Sequence, residues 1–348
     1  MNLQAINKAF KKKNIKCDIE AWSNFGHGVT MERACVIQVA TAADVVNAME
    51  VLHQANAHKT SAKELITAKA VAGFKVPGEA LAYKFPFFLD DNQRNKKYSS
   101  SFSLSKAVGG GENGHVVFEF SEQYQDHISF HSDNADFNQK FRPDAVADDL
   151  VGQRKAHLVK VPAGVQLHQL EEWLSKHGCC LPHPPMIERV TLVGALATGA
   201  HGTGILGGPL SEYIYEVTVC LPNGNIKKVR ADSPEFKTLF GAHMGMVGVI
   251  LDVTLRVPEK FNLREDINNY TNLKDLQNNM AQLIQKPYCT INYFPLKGNP
   301  NITVRTWTPT EEKPINQRSY QAEARLQEMG VYLLGDGAQN LLNNEHCK

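Results

Sequence analysis

Hydrophobic spacing predicts a chain of mixed helices and strands. Leu3, Ile6, Phe10 and Ile15 recur as one face of a short helix. Cys35 to Val39, CVIQV, is a compact apolar run of strand type. Thr41 and Asp44 then supply a cap and a first-turn acid for a helix carrying Val45, Ala48, Met49 and Leu52 on one side. His115–Phe120 and Ala156–Val161 read as strands. Val165–Lys176 reads as a helix with Leu167, Leu170, Trp173 and Leu174 on one face, ended by Gly178. Val217–Leu221 and Ile226–Val229 flank Asn223-Gly224, the strongest short hairpin signal. Val247–Val257 is a long strand, and Leu273–Leu283 is helical in spacing. Cys289–Leu296 and Ile302–Thr308 form a second hairpin, and Gln317–Leu334 reads as a helix. The stretch from 60 to 101 reads as an insertion with a helix near Ala62–Ala72, and Phe102–Val108 alternates as a strand.

Composition narrows the function classes. Lys plus Arg is 37 against 36 for Asp plus Glu, a net charge of +1, so no basic surface for nucleic acid is expected. No run approaches the roughly 20 apolar residues that span a membrane. The first residues lack the apolar stretch of a signal peptide. Seven cysteines, none in a C-x-x-C pair, argue against a zinc ribbon or a thioredoxin-like site, and no metal site is expected. The odd count and the missing leader point to a reducing, cytoplasmic setting.

Three glycine-bearing segments carry the candidate chemistry. Gly109-Gly110-Gly111-Glu112-Asn113-Gly114 satisfies G-x-G-x-x-G, but His115–Phe120 follows as a strand where a nicotinamide-binding Rossmann unit requires a helix. A tight glycine turn there serves either as an ordinary hairpin or as an anion cradle of backbone N–H groups. The second segment, 190–204, sets Gly194, Ala195, Gly199 and Gly202 among Thr191, Thr198, His201 and Thr203. It suits either close chain packing or a backbone laid against a large planar ligand. In the third, 240–251, Gly245 and Gly248 lead into the long strand through Val249 and Ile250.

In order and spacing, five stretches resemble FAD-linked oxidases with a flavin domain of the p-cresol methylhydroxylase (vanillyl-alcohol oxidase) type. Aldonolactone oxidases of the gulonolactone and arabinonolactone kind are nearest in motif. The stretches are VIQVATAADVVNAM (36–49), KAVGGG (106–111), LVKVPAGVQLHQLEEWLSKHG (158–178), VTLVGALATGAHGTG (190–204) and PEFKTLFGAHMGMVGVILDVTLRV (234–257). The resemblance implies an α+β fold: an N-terminal helical segment (1–34), a two-subdomain FAD-binding domain (35–260) and a truncated α+β substrate domain (261–348). It implies that Gly109, Gly110 and Gly111, with Glu112, Asn113, Gly114 and His115, border the FAD diphosphate. Thr191, Gly194, Ala195, Thr198, Gly199, His201, Gly202 and Thr203 would line the flavin and its ribityl chain. Gly248, Val249 and Ile250 would meet the adenine end. Where related loops carry a histidine that binds FAD covalently, this chain has Glu112 and Asn113, so dissociable FAD is expected. Gly202→Val is expected to weaken FAD binding more than folding.

The implied activity is oxidation of an alcohol or lactone CH–OH group, with oxygen or another acceptor taking the electrons. A flavin-binding protein without turnover and an oxidase of a bulky sterol-like alcohol are the alternatives. The family's catalytic groups transfer to no residue here.

Overall fold

The computed structural model describes residues 3–23, 30–60, 65–72, 75–77, 97–99, 114–120, 124, 128–146, 148–186, 188, 190–205, 207–294 and 301–313. The expected strand at Phe102–Val108, the glycines 109–111 with Glu112 and Asn113, and the expected helix at Gln317–Leu334 lie outside them. Among the described residues no helix is long and apolar enough to cross a membrane.

A four-stranded sheet runs in the order β1 (Cys17–Ser23), β2 (Thr30–Val39), β6 (His115–Phe120), β3 (Thr67–Ala72). The β1–β2 pair is antiparallel, whereas β2–β6 and β3–β6 are parallel. Helix α1 (Leu3–Lys12) buries Leu3, Ile6 and Phe10, the stripe visible in the sequence. Helix α2 (Ala42–Asn56) starts at a capping box: the Thr41 hydroxyl accepts from the Asp44 N–H, and the Asp44 carboxylate accepts from the Thr41 N–H. The helix expected near Ala62–Ala72 is corrected at its described end. Residues 67–72 are strand β3, in parallel register with β6 from Thr67↔His115 to Ala72↔Phe120. A waiting sheet edge outweighs the helix propensity of alanine. Short strands β4 (Lys75–Pro77) and β5 (Lys97–Ser99) pair separately.

The second sheet is antiparallel, in the order β10 (Ile226–Arg230), β9 (Ile214–Cys220), β11 (Val249–Pro258), β8 (Ala156–Pro162), β7 (Ser129–Phe130). Its central strand β11 is buried on both faces. Helices α3 (Leu167–Lys176) and α4 (Leu192–Ala197) contribute to its core through Leu167, Leu170, Leu174, Leu192 and Leu196. The two sheets share apolar packing, because Ala163, Cys220, Val249 and Leu251 belong to the core built on α1, α2 and the first sheet. The Tyr124 hydroxyl donates to the Leu251 carbonyl at 2.8 Å.

Helix α5 (Pro234–Leu239) precedes β11. After it, β12 (Asn262–Tyr270), β14 (Asn301–Thr310) and β13 (Tyr288–Phe294) form a third antiparallel sheet, with α6 (Leu273–Leu283) between β12 and β13. The change in composition at about 261 falls between β11 and β12.

Cys17 and Cys35 form a disulfide between β1 and β2, with Cα atoms 6.1 Å apart. A loop of this size contributes about 3 kcal/mol in the chain-entropy account. The cytoplasmic expectation would leave both as thiols. Thiol titration of the denatured, unreduced protein should therefore read five groups of the seven cysteines. A reading of seven would show that the bond does not form.

Candidate functional site

Two of the three glycine segments meet on the surface. Leu167 and Leu192 pin the first of them to the α3 turn: the Leu167 N–H donates to Val190 O at 3.0 Å and the Leu192 N–H to Val165 O at 2.9 Å. Thr191 caps α4, its hydroxyl accepting from the Gly194 N–H at 3.2 Å. Six small or apolar residues, Leu192–Ala197, make this a helical turn and a half. Its end is a Schellman motif. The Ala200 N–H reaches Ala195 O at 3.0 Å, the Gly199 N–H reaches Leu196 O at 3.2 Å, and Gly199 takes a φ of +69°. Beyond it the chain is exposed at His201 and Thr203. The backbone N–H groups of His201, Gly202 and Thr203 have no backbone partner among the described residues.

The segment after α5 folds onto this turn. The Met244 N–H donates to Ala197 O at 2.9 Å, and a Cβ placed on Gly199 would lie 3.5 Å from the Ala242 Cβ. Gly241 and Gly245 face open space. Met244 and Met246 are exposed beside them, an apolar border to a surface of small residues. His243 is buried between these groups. Its Nδ1 accepts from the Gly245 N–H at 3.1 Å, so the neutral ring carries its proton on Nε2. That N–H has no hydrogen-bond partner among the described residues. Burial lowers its pKa to about 4, so the ring is neutral at pH 7.

A second buried histidine lies beneath the loop. The His183 ring fills the space where Cβ atoms at Gly204 and Gly207 would sit. It faces Tyr213 at a ring-centroid distance of 6.2 Å and Tyr288 at 4.9 Å. Burial, with the Arg142 charge adding to it, lowers its pKa to about 4. Its Nδ1 likewise has no partner among the described residues. An unmet buried polar group costs about 1–3 kcal/mol, so both histidines are kept at a cost to folding.

Of the residues expected at a cofactor, Thr191, Gly194, Thr198, Gly199, His201, Gly202 and Thr203 lie together on the α4 turn and the loop after it. Several have structural reasons of their own. Thr191 is a cap, and the Thr198 hydroxyl returns to the Ala195 carbonyl at 3.2 Å. The Ala195 side chain lies in the core. A Cβ at Gly202 would stand 2.7 Å from the carbonyl oxygens of His183 and Pro184, and one at Gly248 2.5 Å from Cys220 O. Val249 and Ile250 are buried and paired in register with Cys220 and Val219. Of the first segment, Gly114 packs under Leu3, and His115 opens β6 with its Nδ1 2.7 Å from the Thr67 hydroxyl. Periodicity gave no sign of His183 or His243. The one available signal for His183 was the Gly204–Gly207 pair whose missing side chains make room for its ring.

The arrangement fits a dinucleotide: an exposed stretch of small residues, backbone donors in a row, and apolar side chains at its edge. The comparisons agree. Residues 147–230 match the FAD binding domain family. L-gulonolactone oxidase of Bos taurus is 32% identical over 177 residues, which are 51% of this chain and 39% of the relative. A putative D-arabinono-1,4-lactone oxidase of Neurospora crassa is 38% identical over 110 residues, 30% of this chain and 19% of the relative. Among solved structures, a carbohydrate oxidase from Microdochium nivale superposes with a TM-score of 0.58 at 16% identity, covering 96% of this chain and 60% of that one. A solvent-stable cholesterol oxidase gives 0.58 at 17%, covering 87% and 50%. The chain shares the α+β fold of these oxidases and spans less than half the length of the two curated relatives.

Proposed function

We propose that the chain is an FAD-dependent oxidoreductase acting on the CH–OH group of an alcohol or lactone. The observation that carries this is the meeting of the 190–204 and 240–251 segments through the Met244–Ala197 hydrogen bond, within and beside the FAD binding domain. FAD supplies the hydride acceptor and the route for electrons to oxygen or another acceptor. The chain's own part is placement. The N–H groups at 201–203 are the donors available to a diphosphate or a flavin edge. The rigid turn at Gly199 holds them in register, and Met244 and Met246 shed water from the border. His243, uncharged at neutral pH, adds no positive charge to the site. The oxidations catalysed by the curated relatives support the lactone or alcohol class.

FAD should be dissociable. Glu112 and Asn113 stand where related loops carry a histidine, and His115 already engages Thr67. Adding FAD to the apoprotein should quench flavin fluorescence with saturation, and acid precipitation should leave a yellow supernatant over a colourless pellet. A fluorescent band on a denaturing gel would show a covalent link instead. Anaerobic bleaching with a panel of sugar lactones and alditols tests turnover. Saturable FAD binding with no bleaching by any of them would leave a flavin-binding protein without this activity.

A further inference from the structure

We propose that the free edge of β12 pairs with the same edge of a second copy of this chain, antiparallel, about a twofold axis at Glu265. Nothing in this depends on the FAD reading, because β12 belongs to the third sheet. β12 ends that sheet: β14 holds it along one side, and no strand among the described residues holds it along the other. Its backbone makes no backbone hydrogen bond outside that ladder among the described residues. Both faces are open as well. Every side chain from Leu263 to Asn269 is exposed, Leu263 at 46% and Ile267 at 49%. An edge of this kind is a template for a further strand.

The order of residues selects which strand that is. Directly opposed residues of an antiparallel pair share a face, so the axis of a symmetric pair falls on a residue. An axis on Glu265 sets Leu263 against Ile267 of the second copy, and Arg264 against Asp266 of the second copy. Symmetry repeats each contact. Apolar then meets apolar on one face, and opposite charges meet on the other. Arg264 and Asp266 have no ion partner within the chain among the described residues, so both are available. Like charges meet only where Glu265 faces its copy, and there the Arg305 guanidinium, 3.1 Å from the Glu265 carboxylate, offsets them. An axis on Arg264 or on Asp266 opposes like charges and sets an apolar residue against Glu265. An axis on Ile267 loses both ion pairs. Charges on an edge strand commonly keep copies apart by meeting their like. The order Leu-Arg-Glu-Asp-Ile at 263–267 makes them meet their opposites. The pairing joins two three-stranded sheets into one continuous sheet.

The test is sedimentation velocity with light scattering on the full chain, from about 1 to about 200 µM, the range of a small and transient interface. The wild type should pass reversibly from monomer to dimer as concentration rises. Arg264→Asp and Asp266→Arg should each weaken the dimer about tenfold or more, because one reversal turns both ion pairs repulsive. The double variant restores opposite charges in the same register and should return to within about threefold of wild type. Circular dichroism should show all three variants folded. The proposal is overturned by a chain that stays monomeric throughout, by association beyond a dimer, by a dimer that neither single reversal weakens, or by a double variant no tighter than the singles. Should a reversal variant fail to fold, Ile267→Glu decides: it sets a carboxylate against Leu263 of the second copy, and an unweakened dimer overturns the pairing equally.

Discussion

Between pH 7 and pH 5 the folded chain should lose about 4 kcal/mol of stability, roughly 2 from each of His183 and His243. Both rings are buried, and in the folded chain both pKa values are lowered to about 4. In the unfolded chain they return to about 6.5. Within that interval the unfolded state binds protons that the folded state refuses, so stability rises with pH there. It is fully present above about 6.5 and lost progressively as pH falls toward 4. Urea unfolding at pH 7 and pH 5 reads the difference directly. His183→Gln and His243→Gln should each remove about half of it, since an amide does not titrate. Equal unfolding free energies at the two pH values would mean that neither ring is held neutral, and the description of both buried sites would have to change.

Gly204→Val should be the most damaging single change in the 199–208 loop. A Cβ at this position collides with the His183 ring, and a branched side chain leaves the ring no place. Overpacking of this kind costs about 3 kcal/mol or more, which in a chain of this size lowers the melting temperature by roughly 4 °C or more. FAD affinity should fall with it, because the ring that supports the 202–207 backbone has been displaced. The contrast is Gly199→Ala, where the new methyl meets only the Ala242 Cβ at 3.5 Å and the cost is the left-handed backbone, about 1 kcal/mol. Thermal melts without FAD, beside FAD titrations, separate the two. A Gly204→Val protein that melts like wild type would place His183 elsewhere. The same geometry revises the sequence-based expectation for Gly202→Val. There the new side chain meets the carbonyl oxygens of His183 and Pro184, so the change damages folding as well as the cofactor surface.

The elements written in strong local code were readable in advance. Thr41 with Asp44 marked the start of α2, Asn223-Gly224 turned the β9–β10 hairpin, and Gly178 closed α3 at a φ of +73°. Strands whose existence depends on a partner were not. β12 reads NLREDINNY and is exposed over most of its length, so no alternation announces it. It is a strand because β14 offers nine residues of antiparallel ladder, from Asn262↔Thr310 to Tyr270↔Ile302. β3 was hidden in the same way behind alanines. At the site, the order and spacing of the glycine segments pointed to the FAD binding family that residues 147–230 match, but single residues were harder to assign. Glycine is demanded both by ligands and by neighbouring backbone, and the sequence does not distinguish a Gly202 packed on carbonyls from a Gly245 facing open space. His183 and His243 were silent because their roles arise from burial, which only the assembled chain creates.

Helix α1 bears on how the protein should be handled. Leu3 sits over Gly114, so close that a Cβ on that glycine would lie 2.5 Å from it. Gly114 is the last residue of the first glycine segment, and its carbonyl accepts from the Thr67 N–H at the head of β3. The first turn of α1 thus covers the point where β6 begins and where β3 is tied to it. Removing or crowding that turn would loosen the start of both strands. A preparation altered in this way could report weak cofactor binding that belongs to the cloning design rather than to the protein.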